Sequence, residues 1–245
     1  MGFRMIAALS ATAALALAGA PAALAQGYGG VVGDSHRPAA DTARDGDRKP
    51  AEMLAFAHVR AGERVLEVIP GGGYFTRLFS KAVGPSGRVY AATTPGPRAK
   101  PVQDIAADAA YANVTVVGLD EAGLAPVPPV DLIFTAQNYH DLYLTQLHVD
   151  VPAVVKSWYA KLKPGGRLVI IDHAALPGAA EVETANTLHR IDPALVRREV
   201  EAAGFKFEAQ SNAIRNPADT HTTKVFDPSI RGHTDQFVFL FRKPR

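Results

Sequence analysis

Two clusters in this chain have residue types and spacings suited to chemistry. The first is "VLEVIPGGGYFT", Val65 to Thr76, where an apolar run carrying Glu67 meets Gly71, Gly72 and Gly73. Glycines directly after a strand let the backbone approach a ligand, because no Cβ stands in the way. A helix beginning there presents free N–H groups and a positive dipole end. Such a bend suits a nucleotide-like ligand. The second cluster is "QNYHDLY", Gln137 to Tyr143, which sets Asn138, Tyr139, His140 and Asp141 side by side. An imidazole with an ordinary pKa of about 6.5 can take up a proton near neutral pH. Asp172 and His173 close another apolar run, and His189 and Arg190 lie in "TLHRID", a stretch that could fold over a site as a lid. Convergence of His140, Asp141, Asp172, His173 and His221 would suit a divalent ion. No close-spaced H-x-x-x-H pair supports one, and no metal site is assigned.

These residues need elements to position them. Arg64–Ile69, Gly87–Thr93, Val114–Val117, Leu132–Thr135 and Arg167–Asp172 read as short apolar strands. Helices are expected over Tyr74–Val83 and Val151–Leu162, the latter ended by "KPGG". Pro50 suits a first helical turn, with Met53, Leu54, Ala57 and His58 on one face. Short apolar strands separated by helices indicate parallel pairing covered on both faces. Asp192 with Pro193 starts a last helix and Gly204 ends it. "FKFEAQ" and "TDQFVFLFRK" then follow as two strands with no obvious helix between them, which suggests an antiparallel closing pair. The fold class expected is α/β: a Rossmann-like three-layer sandwich on a mostly parallel seven-stranded sheet, with an antiparallel strand pair at the C-terminal end. In such a sheet ligands bind past the carboxyl ends of the strands, where the strand order reverses.

The glycine bend does not fit two common nucleotide motifs. A P-loop requires Gly-Lys-Ser/Thr, and no Lys follows these glycines; the third position of G-x-G-x-x-G is Thr76. The ordered set "VLEVIPGGGY…GRVYAA…VVGLDEAG…DLIFTAQN…LKPGGRLVIIDH" instead resembles the class I S-adenosylmethionine-dependent methyltransferases, from about Lys49 onward. More narrowly, it is similar to exported bacterial proteins described only as predicted methyltransferases.

The resemblance implies S-adenosylmethionine as cofactor, with donor contacts from Glu67, Gly71, Gly72 and Gly73. Thr93, Asp120 and Asn138 complete that implied donor set, Asp120 matching the position that reaches the adenine amino group. Catalytic work is expected of His140, Asp141 and Asn138 at the mouth of the site. Two departures stand out. Ile69, followed by Pro70, replaces the first glycine of the family motif, and a β-branched residue resists positive φ, so the loop is expected to take a different path. Thr93 stands where the family places a carboxylate for the ribose, and a hydroxyl makes one neutral hydrogen bond instead of two charge-assisted ones.

The bulk of the chain sets the remaining bounds. Its 245 residues are 47% hydrophobic and 20% charged, enough for one domain with a sizeable core. A formal net charge of +2 without a long block of one sign argues against non-specific nucleic-acid binding. Zero cysteines exclude disulfides, thiolate metal sites and a cysteine nucleophile. Residues 1–25 carry Arg4, an apolar stretch and a final Ala23-Leu24-Ala25, the pattern of a signal peptide cleaved before Gln26. The stretch is short for a bilayer span of about 20 residues. Residues 26–48 are expected to be a flexible N-terminal segment and 49–245 a methyltransferase-like domain. The reading is of an exported protein, periplasmic or secreted, with no stable membrane span after cleavage and a small-molecule or envelope acceptor. Alternatives are a non-catalytic ligand-binding protein of the same fold and a metal-assisted enzyme at the same cleft.

Overall fold

The apolar runs become the strands of one sheet. The computed structural model describes residues 27–245; the stretch read as a signal peptide, residues 1–25, lies outside the described residues. The strands are β1 (Arg64–Val68), β2 (Arg88–Thr93), β3 (Val114–Gly118), β4 (Val130–Ala136), β5 (Leu162–His173), β6 (Lys206–Ser211) and β7 (Gln236–Arg242), in the order β3-β2-β1-β4-β5-β7-β6. The first five pair in parallel, and β7 runs antiparallel to both its neighbours. This is the seven-stranded, mostly parallel architecture expected from the sequence.

Both faces of the sheet's centre are buried, so β1, β4, β5 and β7 show near-continuous apolar runs, while the edge strand β6 alternates. Val65 joins one core cluster with Leu132 and Val169, while Leu66 and Val68 join the other with Ile133 and Ile170. The helix Tyr74–Val83 covers the first face through Phe75, Leu78, Phe79 and Val83. The rings of Phe75 and Phe79 lie 4.7 and 4.8 Å from that of Phe134 on β4. Helices Val151–Lys161 and Pro193–Ala202 cover the second face through Val155, Trp158, Val196 and Val200. Each begins at an aspartate that accepts a backbone N–H: Asp150 from Ala153 and Asp192 from Ala194. Caps of this kind contribute about 1 kcal/mol.

Strand order reverses between β1 and β4, with β2 and β3 on one side and β5 on the other. Connections leaving β1 and β4 diverge there, opening a crevice at their carboxyl ends.

Some local expectations are corrected. The described part of 26–48 is not a loose tether. Short helical turns at Gly29–Val32, Ala39–Thr42 and Asp45–Arg48 are pinned to the domain. Arg37 grips Asp45 with two hydrogen bonds of 2.8 and 2.6 Å, and Tyr74 Oη donates to the same carboxylate at 2.6 Å. Arg77 donates to Asp41 Oδ2 at 2.9 Å, and Tyr28 Oη to Val59 O at 2.5 Å. The charged residues that suggested solvation are paired with one another and with the next helix. His58 leaves the apolar face of its helix, which ends at Phe56; its φ of +50° turns the chain away. Finally, β5 starts at Leu162, inside the segment expected to be only a helix stop.

Candidate functional site: the crevice between β1 and β4

The chain leaves β1 through Ile69, whose φ is +54°. The expectation that a β-branched residue would force another path is therefore corrected: Ile69 takes the left-handed conformation itself. It is clamped there from both ends. Its N–H donates to Ala92 O at 2.9 Å, extending the β1–β2 ladder, and its carbonyl accepts Asn138 Nδ2 at 2.9 Å. Its side chain packs into the core cluster on the second face. Strain of this kind costs about 1–2 kcal/mol and persists only where surroundings over-determine it.

The three glycines divide by role. Gly71, at φ +57°, and Gly72 are exposed, and a Cβ on either would meet nothing within 4 Å. At Gly73, φ +78°, a Cβ would fall 2.1 Å from Ile105 Cδ1. Gly71 and Gly72 thus form an open bend, while Gly73 lets the helix Tyr74–Val83 pack closely on the helix Lys100–Ala107. The open bend beside a helix start fits an adenosyl donor, and Ile69 does not plug it.

Glu67 sits beneath this bend at 3% exposure, accepting Thr76 Oγ1 at 2.5 Å. Burial pushes its carboxyl up to about 7, against the opposing pull of the Thr76 hydrogen bond and of Arg48 and Arg77. It braces the helix start from inside. Thr93 ends β2 opposite Gly118 and is 8% exposed. Asp120 is exposed, and one of its oxygens accepts Gly123 N–H at 2.8 Å, capping the short helix Glu121–Leu124.

A cavity of about 110 Å³ opens where Ala136 ends β4. Its walls include Phe75, Ala136, Gln137 and Ile171 from the sheet and first helix, Arg44 and Arg48 from the N-terminal segment, and Ile214 and Gln236 from late in the chain. Gln137, at φ +65°, accepts Arg48 Nη2 at 2.7 Å and donates to Gln236 Oε1 at 3.0 Å. The Arg48 guanidinium lies 4.7 Å from the Tyr74 ring centroid. Burial, then Arg44, lower its pKa to about 10, so it remains charged at neutral pH. Among the described residues no carboxylate pairs with it. Neither Arg48 nor Gln236 was singled out in the sequence. Nothing in "GDRKP" marks Arg48, because its role depends on the N-terminal segment docking.

His140 and Asp141 follow β4 in a short 3-10 turn, His140–Tyr143. His140 is 3% exposed; its Nδ1 lies 2.8 Å from Asp172 Oδ1 and its backbone N–H donates to Asp172 Oδ2 at 2.7 Å. Its Nε2 lies 3.2 Å from Asp141 Oδ1. Burial opposes the charged form most strongly, yet Asp172 and Asp141 together overcome it and raise the pKa to about 10. The imidazole expected to titrate near neutral pH is therefore an imidazolium there. His173, with Nδ1 2.6 Å from Thr234 Oγ1, is driven the other way, to about 4, by burial and by the charge on His140.

The structure brings His189 to the same cluster, its ring 5.4 Å from that of His140. It does not bring His221, which pairs with Asp235 Oδ2 at 3.0 Å. Arg190, placed with His189 in a candidate lid, is corrected: it is fully buried and paired with Asp219 at 2.8 Å.

Known proteins share this chain's fold and family. Residues 48–176, more than half of the chain, match the family model for protein-L-isoaspartate(D-aspartate) O-methyltransferase (PCMT). The chain is 29% identical over 190 residues to the ubiquinone/menaquinone biosynthesis C-methyltransferase UbiE of Pseudomonas paraeruginosa, covering 75% of this chain and 64% of that protein. It is 35% identical over 103 residues to the protein-L-isoaspartate O-methyltransferase of Ignicoccus hospitalis, covering 40% of this chain and 49% of that one. The chain thus spans less than two thirds of the length of either relative. A solved S-adenosylmethionine-dependent methyltransferase from Aquifex aeolicus superposes with a TM-score of 0.60 at 20% identity, covering 82% of this chain and 92% of that one. That likeness concerns the fold, and it includes the parallel sheet whose switch point carries the open bend. The chain belongs to the PCMT family of class I S-adenosylmethionine-dependent methyltransferases.

Proposed function

We propose that this chain transfers the methyl group of S-adenosylmethionine to a small-molecule acceptor held in the cavity between Arg48 and Gln236. The observation that carries the reading is the open Gly71–Gly72 bend at the switch point, stitched to β4 by Asn138. The cofactor, when bound, supplies an activated methyl group on a sulfonium, so the protein's task is to position the acceptor and exclude water. Gly71 and Gly72 leave room for the donor, and Asn138 fixes the path of the bend through the Ile69 carbonyl. Thr93 and Asp120 lie at the ends of the next two strands, Asp120 with one carboxylate oxygen already committed to its cap. Arg48, held by Gln137 and the Tyr74 ring, gives the acceptor cavity a fixed positive charge; Phe75 and Ile171 give it an apolar floor.

His140 and Asp141 do not line this cavity and are given no proton-transfer role in the scheme. An imidazole held protonated by two carboxylates is not free to take up a proton at neutral pH. The relatives methylate carbon in quinone biosynthesis and oxygen in isoaspartate, judging by their names. For this chain we favour a small acceptor over a protein one, because the cavity holds only about 110 Å³. The signal-like residues 1–25 support export, so the acceptor is proposed to be periplasmic or secreted, or part of the envelope.

Calorimetric titration with S-adenosylmethionine and with its demethylated product tests the donor half. Saturable binding of both at one site is expected. If neither binds at millimolar concentration, the methyl-transfer reading fails and a donor-free binding protein takes its place.

A further inference from the structure

We propose that His140, Asp141 and His189 form a binding site for one divalent cation of the zinc class at the rim of the crevice. His140 Nε2 lies 3.2 Å from Asp141 Oδ1, and His189 Nδ1 lies 4.0 Å from the same oxygen. The three ligand atoms all fall within 4.8 Å of one another. An ion bonded at about 2.0–2.2 Å to each needs them roughly 3–3.5 Å apart, so a small closure of the His189 side completes the set.

A second arrangement, on the other side of the His140 ring, also points to a ligand. The other ring nitrogen of His140 faces Asp172, which is fully buried and itself held by the backbone N–H groups of His140 and His173. A buried carboxylate behind one imidazole nitrogen fixes the ring's orientation and aims the other nitrogen at Asp141, as in carboxylate–histidine–metal sites; the cation replaces the proton that Nε2 otherwise carries, which is released on binding. His189 is presented with similar care. Its φ of +55° turns the chain at the end of the helix Glu181–Leu188, and its ring packs between His140 and Phe226, 4.8 Å away on the far side.

The donor set selects the ion. Two imidazoles and one carboxylate suit zinc, cobalt, nickel, manganese or ferrous iron better than magnesium or calcium, which prefer oxygen ligands. Three protein ligands leave a coordination position for water or for an acceptor oxygen. The neighbouring histidines are otherwise engaged: His173 bonds Thr234, and His221 bonds Asp235.

This inference stands on the cluster's own geometry and not on methyl transfer, so its test reads metal directly. Tag-free protein stripped with chelator is titrated with Zn²⁺ by calorimetry and with Co²⁺ by visible absorption. One site per chain is expected, with tetrahedral or five-coordinate Co²⁺ bands. His189→Ala, at a partly buried position, should weaken both ions by tenfold or more, and His221→Ala should leave them unchanged. Asp172→Asn should weaken binding tenfold to a hundredfold while keeping all three ligands. Absence of stoichiometric Zn²⁺ binding in folded wild-type protein, or equal affinity in His189→Ala, would overturn the proposal. The cluster would then be an imidazolium held between two carboxylates. Donor affinity measured on the same samples separates this outcome from a failure of the methyl-transfer reading.

Discussion

Gly71 and Gly72 are alike in sequence and in openness, yet they differ in backbone, and the difference separates fold from ligand. Gly71 is left-handed, whereas Gly72 is not. Gly71→Val therefore carries a backbone cost of about 1–2 kcal/mol and also fills the donor's approach. Gly72→Val fills the same approach while keeping stability within about 0.5 kcal/mol. Both variants should lose at least tenfold in donor affinity by calorimetry, and only Gly71→Val should unfold earlier in urea. Glu67 supports a pH prediction. Its folded carboxyl holds a proton up to about pH 7, against 4.5 for a free group. The folded state thus binds the proton more tightly, so stability is highest below pH 4.5, falls as pH rises from 4.5 to 7, and is flat above. The loss from this group is on the order of 3 kcal/mol. Glu67→Gln keeps an acceptor for Thr76 and should remove that slope in urea titrations across the range. A wild-type slope retained by the variant would assign the proton elsewhere. The sequence marked Glu67 as an acid beside a ligand bend but did not show which face it points to. Its burial beneath Thr76 is a matter of strand alternation against a helix that only the fold brings near.

At the scale of elements, the helices Lys100–Ala107 and Glu181–Leu188 went unanticipated, whereas the strands and the helices Tyr74–Val83, Val151–Lys161 and Pro193–Ala202 were legible because their signals are local: apolar runs, an Asp-Pro start, glycine stops. The segment before Lys49 was not. Its Gly, Asp and Arg content matches that of solvated chain, and nothing local shows that Arg37 and Asp45 will pair or that Tyr74 will join them. That pairing is a long-range event, yet it builds one wall of the acceptor cavity through Arg44 and Arg48. Arg37→Ala leaves the partly buried Asp45 without its ion partner, with the Tyr74 hydrogen bond retained, and should cost about 1.5–3 kcal/mol. Denaturation would read that loss. Limited proteolysis should cut within residues 28–48 of the variant before the rest of the domain opens. If the variant resisted proteolysis like the wild type, other contacts would be holding the segment.

At the scale of the molecule, the long connection between β6 and β7 is fastened by one buried ion pair. Arg190 and Asp219 are both fully buried at their side chains, and Asp219 also accepts the N–H groups of His221 and Asp235. Asp219→Ala strands a guanidinium in the interior and should cost about 3–5 kcal/mol. For a domain of this size that lowers Tm by on the order of 10 °C, readable by calorimetric melting. This fastening was not legible beforehand, since Arg190 read as part of a lid. The overall architecture was legible for the opposite reason: alternation of strands and helices leaves few topologies open. The cavity draws on Arg48 near one end of the described chain and on Gln236 near the other, whereas the donor bend and the Ala92 and Asn138 contacts that clamp it are complete by residue 138. During translation the bend can therefore form well before β7 emerges to close the cavity. A nascent chain could capture donor early but would have nowhere to seat an acceptor, so competence for transfer arrives only with the last strand.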